Sequence, residues 1–235
     1  MTAPDPTILL VLVRWQPASR LWGMMRLPLA AVQPLQAPGL LFYKVLGSGR
    51  HGGFGLVPSL SHQGLLTAFD QETQACAFLE KSPVLDRYRQ HAAEFAWLLL
   101  KPSSVRGSWS GFSPGISEQR SEHKGPVASL TRASIRPRKM RAFWSQSPAA
   151  EADLTLAEGC RLAVGLGEAP LLRQATFSLW DSLDHMNAYA RSGAHLRAIQ
   201  TAYRDEHFSE SMFVRFSVQS AGGEWKGMSL SDQAL

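Results

Sequence analysis

Two cysteines in 235 residues, Cys76 and Cys160, form no CxxC pair, which removes disulfide frameworks and cysteine-rich zinc modules from consideration. The N-terminus has no basic stretch followed by a long apolar one, so a reducing cytoplasm is the expected compartment. The apolar run from Ile8 to Val13 is too short to span a bilayer. GSG at 47–49 followed by HGGFG at 51–55 has neither the lysine with Ser/Thr nor the following helix of a phosphate loop. Nucleic-acid motifs and flavin or nicotinamide fingerprints are missing as well.

What is present is ordinary globular composition, 45% hydrophobic, with a net charge of +5 and a pI near 9.5. That is enough apolar material for one large core or two modest ones. The densest basic patch is Arg136, Arg138, Lys139 and Arg141. It reads as a solvated helix start or as a surface for anionic lipid, and no nucleic acid is expected as partner.

Hydrophobic patterning predicts strands at Thr7 to Trp15, Leu40 to Gly49, Gly64 to Phe69 and Trp97 to Lys101. Helices are expected from Ala18 to about Val32, with Pro28 bending or ending it, from Gln71 to about Glu80 behind an Asp70 cap, and from Pro83 through Phe95. Residues 112–125 are rich in Gly, Ser and Glu and read as a linker.

The marks of the first half recur in the second in the same order. Arg14 and Trp22 match Arg136 and Trp144 at an offset of 122, Gly47 and Gly49 match Gly165 and Gly167 at 118, and Asp70 matches Asp181 at 111. GxWxG closes both halves, at 107–111 and 223–227. Each half reads as strand, helix, two strands, one or two helices and a strand, the ferredoxin-like βαββαβ order. Two four-stranded sheets, each with helices on one face, can close their bare faces on each other. The expected fold is therefore α+β, a single-chain dimeric α+β barrel, with a first half at 1–111, a linker at 112–125, a second half at 126–227 and a tail at 228–235. Two separate ferredoxin-like domains, or a doubly wound sheet, are the alternatives.

The segment from Thr176 to Phe208 carries the most distinctive chemistry. After a glycine break at Ser192-Gly193, apolar positions recur at Leu196, Ile199, Ala202 and Tyr203 on the face of His195. A buried imidazole is either a satisfied core histidine or a ligand. At the local offset of 111 its counterpart is Val84, so the ring is not required by the repeat and needs partners for two nitrogens. Arg132, Ser134 and Arg136 share one strand face by alternation, as do Gln174, Thr176 and Ser178, and both rows are expected to face the same cavity as His195.

The segments FYKVLGSG (42–49), RGSWSG (106–111), PVASLTRASIRP (126–137) and ARSGAHLRAI (190–199) resemble the spheroidene monooxygenase family of carotenoid biosynthesis, from about Arg14 to Gly227. Ser134 stands where that pattern expects threonine. The resemblance implies a haem-containing oxygenase, with haem b and its iron as cofactor and dioxygen as co-substrate, that puts keto groups into acyclic carotenoids such as spheroidene. It implies His195 as the iron ligand, with Ser134, Thr176 and Ser178 beside the cofactor. Arg132 or Arg136 would be the cation that answers developing negative charge, or else pair with haem propionates or face water. His185 is the competing ligand, and Cys76 a thiolate alternative. A ferredoxin-type electron donor is the implied partner. Peripheral contact with the inner membrane would rest on Trp22, Met24, Met25 and the basic cluster at 136–141. A haem enzyme of the same fold acting as dehydratase or peroxidase on another small molecule, or a non-catalytic carrier of haem or a hydrophobic ligand, stays open beside this reading.

Overall fold

The structure is a computed structural model and describes residues 6–55, 57–116, 125–169, 172–191, 193, 196, 200, 201 and 204–231, apart from the side chains at 31, 146–152 and 155. Strands β1 (Thr7–Trp15), β2 (Leu40–Gly49), β3 (Pro58–Phe69) and β4 (Ala92–Gly107) belong to the first half. β5 (Val127–Ile135), β6 (Cys160–Ala169), β7 (Arg173–Trp180) and β8 (Phe208–Trp225) belong to the second. Their order is β4-β1-β3-β2-β6-β7-β5-β8, and a further β4–β8 ladder closes the sheet into an antiparallel barrel. The expected α+β barrel of two ferredoxin-like halves is what the chain forms.

The halves are related by a two-fold written into the hydrogen-bond registers. β1 and β5, with the 3₁₀ turns Pro17–Ser19 and Pro137–Lys139 behind them, lie 120 residues apart. In the β4–β8 ladder Ala96 faces Gly223 and Gly107 faces Met212, so the same two positions, 116 apart, recur at its two ends. β2 meets β6 at Gly47 opposite Gly167. The GxWxG closures share a backbone: φ is 84° and 83° at Gly107 and Gly223, 51° and 54° at Ser110 and Lys226, 78° and 74° at Gly111 and Gly227. The left-handed turns need glycine, and at Gly107 a Cβ would come within 2.1 Å of the Ser211 carbonyl. These registers correct the sequence offset of 122 in the first strands, and that of 118 between β2 and β6, to a common 120. Arg136 therefore stands opposite Gln16 in the repeat, and Trp144 opposite Met24.

Inside the barrel, alternate strand residues form one apolar cluster, including Ile8, Leu10, Leu12, Leu66, Leu98, Leu130, Val164, Phe177, Val214 and Phe216. Outside it lie the helices: α1 (Arg20–Val32), α2 (Glu72–Lys81) and α3 (Pro83–His91) over the first half, α4 (Met140–Thr155) and α5 (Leu183–Ala190) over the second. α1 continues past Pro28 to Val32. The missing bond would have used the Met24 carbonyl, and both residues are on the exposed side, where water replaces the donor. The acidic cap expected at Asp70 is not used, and of the cap expected at Asp181 and Ser182 it is Ser182 that serves. α2 starts from Gln71, and α5 is capped by Ser182, whose hydroxyl accepts from His185 N. Asp181 instead takes a hydrogen bond from Arg161. β4 is longer than its apolar stretch at 97–101: residues 92–95, expected to end the helix from Pro83, pair with β1 instead, and the far end pairs with β8. In the expected tail, β9 (Met228–Ser229) pairs back on β8, and Leu230 is 1% exposed in the barrel core.

Candidate functional site

β5 and β7 pair with Thr131 opposite Thr176, Ser129 opposite Ser178 and Arg132 opposite Ala175. Cross-strand partners point to the same side of a sheet. Thr131, Ser129, Thr176, Ser178 and Gln174 therefore share the outer, helix-covered face, while Arg132 and Ser134 share the barrel-interior face with Ala175 and Phe177. The two polar rows expected to line one cavity are on opposite sides of the sheet.

On the interior side, Arg132 is 2% exposed and committed to carboxylates. It donates to Glu210 and, over 3.1 Å, to Glu168. Glu168 also receives Lys44 at 2.7 Å and the Trp109 indole N–H at 2.9 Å. The Arg132 guanidinium lies 5.5 Å from the Trp109 ring centre. Burial opposes ionisation of Glu168, but Lys44, Trp109 and Arg132 together hold its carboxyl below the usual range. This network joins both halves at one end of the barrel. At the two-fold-equivalent places Lys44, Arg132 and Glu168 are replaced by Val164, Leu12 and Ser48. Ser134 is half-buried on the same strand, and Arg136 is exposed, its Nε donating to the Phe208 carbonyl at 3.1 Å.

The outer face differs sharply between the halves. Over the first half, Leu9, Val11, Val13, Trp15, Leu65 and Phe69 pack with Phe78, Leu79, Leu85 and Tyr88 into a closed core. Trp22, open from sequence between a membrane surface and the packing of the first half's core, belongs to that core: it meets Trp15 and Tyr88 edge-on and stacks on His91. Over the second half the strand residues at the same places are Ser129, Thr131, Ala133, Ile135, Thr176 and Trp180. Thr131, Gln174 and Thr176 are half-buried, and the described apolar cluster reduces to Val127, Leu154, Trp180 and Met186. Ser178 is buried, receives the Trp180 indole N–H at 2.9 Å and lies 2.9 Å from the Ser129 hydroxyl. It fixes the edge of this floor. Phe213 and Arg215 lie opposite Thr131 and Ser129 on β8, so they share the face. Neither was singled out from sequence, although alternation along β8 already puts both on one side.

His195 lies outside the described residues. Around it Gly193, Leu196, Gln200, Thr201 and Arg204 are helical. Gly193 has φ +64°, and a Cβ there would sit 2.8 Å from the Asp153 carboxylate, so the glycine break lets the chain turn close against α4. The competing ligands are engaged elsewhere. His185 Nδ1 is 3.1 Å from the Ser182 hydroxyl and its ring fills the space beside Gly159. His91 Nδ1 is 2.8 Å from Ser19 Oγ. His62 is buried at the opposite barrel end against Trp225, and burial with Lys226 and Arg14 nearby pushes its pKa down to about 4. Burial raises the thiol of Cys76, and that of Cys160 to about 11, so both stay protonated. His207, just before β8, is 2% exposed with Nδ1 unpaired. Among the described residues no three His, Cys, Asp or Glu side chains are grouped to hold a bare metal ion.

No protein-family model matches the chain. It is 50% identical over 226 residues to the spheroidene monooxygenase of Rubrivivax gelatinosus, covering 96% of this chain and 87% of that one. With the spheroidene monooxygenase of Rhodobacter capsulatus the identity is 37% over 226 residues and 94% of each chain. Among solved structures, an aldoxime dehydratase superposes with a TM-score of 0.60 at 12% identity, covering 98% of this chain and 88% of the other. A second, in complex with butyraldoxime, gives 0.59 at 10% identity over 93% and 81%. At these identities the structures share the fold alone.

Proposed function

The chain belongs to the spheroidene monooxygenase family, and on that premise we propose that it is a haem-dependent monooxygenase that introduces keto groups into acyclic carotenoids such as spheroidene. The names of the relatives support oxygen insertion and the carotenoid class. Support for haem comes from the outer face of the second half. There Ser129, Thr131 and Thr176 replace the fully packed Leu9, Val11 and Leu65 of the first. These side chains are shorter and more polar than the Leu and Val they replace, which supports room for a planar macrocycle on this face.

Haem brings four of its own ligands and asks one of the protein; His195, two residues after Gly193 in the sequence, is that ligand in this reading. When bound, the group supplies activated oxygen for insertion into a C–H bond. The chain's own residues do the rest. Thr131, Gln174 and Thr176 form the floor, and Ser178 orients the Trp180 indole at its edge. Phe213, half-buried on this face, offers apolar contact to a polyene. Arg136 and Arg215, both exposed, are the cations available to anionic edges of the cofactor. Arg132 is a positioning residue whose charge is spent on Glu168 and Glu210, and Ser134, on its face, stands away from the cofactor.

Two hydroxylations of one carbon give a geminal diol that loses water to the ketone. Each insertion consumes one dioxygen, two electrons and two protons and releases one water, so a ferredoxin-type donor must supply the electrons. The test is keto-carotenoid formation in a host that makes acyclic carotenes. Wild-type chain should yield the ketone and His195→Ala none. Haem-loaded protein that forms no ketone from any acyclic carotene would favour the small-molecule alternative.

A further inference from the structure

The outer side of α1 carries apolar residues that serve no core. Leu21 is 73% exposed, Met24 39%, Met25 47% and Val32 72%. Pro28 is exposed between them. Positions 21, 24, 25, 28 and 32 make one stripe along a helix. The helix is already held by its other side: Gly23 O accepts from Gln63 Nε2 at 2.9 Å, Ala30 O from Tyr43 at 3.0 Å, and Trp22 sits in the aromatic cluster.

The repeat shows that the fold does not need this stripe. At the equivalent places on α4, Pro148 repeats Pro28, but Arg141, Trp144, Ser145 and Ala152 stand where α1 has Leu21, Met24, Met25 and Val32. A charge, a hydroxyl and a single methyl thus interrupt the apolar run in the second copy. The distribution of charge points the same way. Residues 6–69 contain no Asp or Glu but carry Arg14, Arg20, Arg26, Lys44 and Arg50; Arg14 and Lys44 pair with Glu94 and Glu168 from elsewhere in the chain, which leaves Arg20, Arg26 and Arg50 as the uncompensated positive charge of this segment. Arg20 and Arg50 are exposed, and Arg20 opens the helix that bears the stripe.

We propose that α1 is a docking face for an anionic lipid bilayer, lying in the surface plane with Leu21, Met24, Met25 and Val32 in the headgroup boundary and the acid-free segment behind it attracted to lipid charge. Among the described residues no helix is long and apolar enough to cross a membrane, and this contact requires none to do so. A bilayer is favoured over a second copy of the chain because an identical partner would bring the same positive segment to the interface. The proposal does not depend on the haem assignment. Where that assignment holds, docking gives the enzyme access to a substrate dissolved in lipid.

Flotation of the full-length protein with phosphatidylcholine vesicles, with and without phosphatidylglycerol, tests it. Binding should need the anionic lipid and weaken with salt. Leu21→Ser/Met24→Ser/Met25→Ser should lower partitioning about tenfold or more, with circular dichroism and the haem titration unchanged. Leu156→Ser, which removes an equally exposed apolar side chain elsewhere, should leave partitioning as it was. Absence of wild-type flotation overturns the proposal, as does equal loss in both variants. A dimer in sedimentation equilibrium that the triple variant dissociates, without lipid binding, would make the stripe a self-interface and overturn it as well.

Discussion

Leu9, Val11 and Leu65 in the first half, and Ser129, Thr131 and Thr176 in the second, stand at two-fold-equivalent places on the helix side of one barrel. The first three are 1% exposed or less; the second three are half-buried. The strand framework around them is the same to the residue, so the difference is in what the space above the strands is for. In the proposed reading, shorter side chains on a face that the repeat shows can be packed solid make room for the haem. The two barrel ends teach a related lesson. Lys44, Arg132, Glu168 and Glu210 tie the halves together at one end, while the other has Leu12, Val164 and the more exposed Arg14–Glu94 pair at 3.0 Å.

Exchanging the floors should give the largest effect. Val11→Thr/Leu65→Thr puts hydroxyls and a void into a closed core, and should cost about 4 kcal/mol in denaturant unfolding with haem binding retained. Ser129→Leu/Thr176→Leu, which copies Leu9 and Leu65 of the first half, should leave stability within about 1 kcal/mol and remove haem binding by filling the floor. A folded second-half variant that still binds haem normally would break the comparison.

The barrel ends come next. Arg132→Ala strands Glu210 and half-strands Glu168, and should destabilise by about 3 kcal/mol. Arg14→Ala, at a pair with 40% of the arginine exposed, should cost less than about 1 kcal/mol. Equal costs would remove the distinction.

A smaller effect separates the ends by pH. His62 has a folded-state pKa of about 4 against 6.5 unfolded, so the unfolded chain binds the extra proton between those values. The contribution of neutral His62 is complete above about pH 6.5 and is lost as pH falls through about 4, amounting to about 1–2 kcal/mol after allowance for water near the ring. His62→Gln should flatten the unfolding profile over that window, and an unchanged slope would contradict it.

The barrel was legible because its marks are local. GxWxG is set by three left-handed turn residues whose dihedrals recur in both halves, and apolar alternation located the strands. The offset of 122 failed because Arg14/Arg136 and Trp22/Trp144 are like residues at unlike places; only pairing registers fix the true 120. Alternation also placed Arg132 with Ser134, and Thr176 with Ser178, but which rows share a face depends on Thr131 lying opposite Thr176, a contact across 45 residues that no local pattern encodes. The Lys44–Glu168–Arg132–Glu210 network was hidden for the same reason. Asp70 looked like a cap because an acidic residue precedes the helix, yet Gln71 occupies the cap position there.

The most direct measurement is an absorption titration of purified apoprotein with haem, comparing wild type, His195→Ala and His185→Ala. The account predicts a Soret band that saturates at one equivalent in wild type, is lost in His195→Ala, and persists nearly unchanged in His185→Ala. Stoichiometric haem in folded His195→Ala, or no Soret band in wild type, would contradict it.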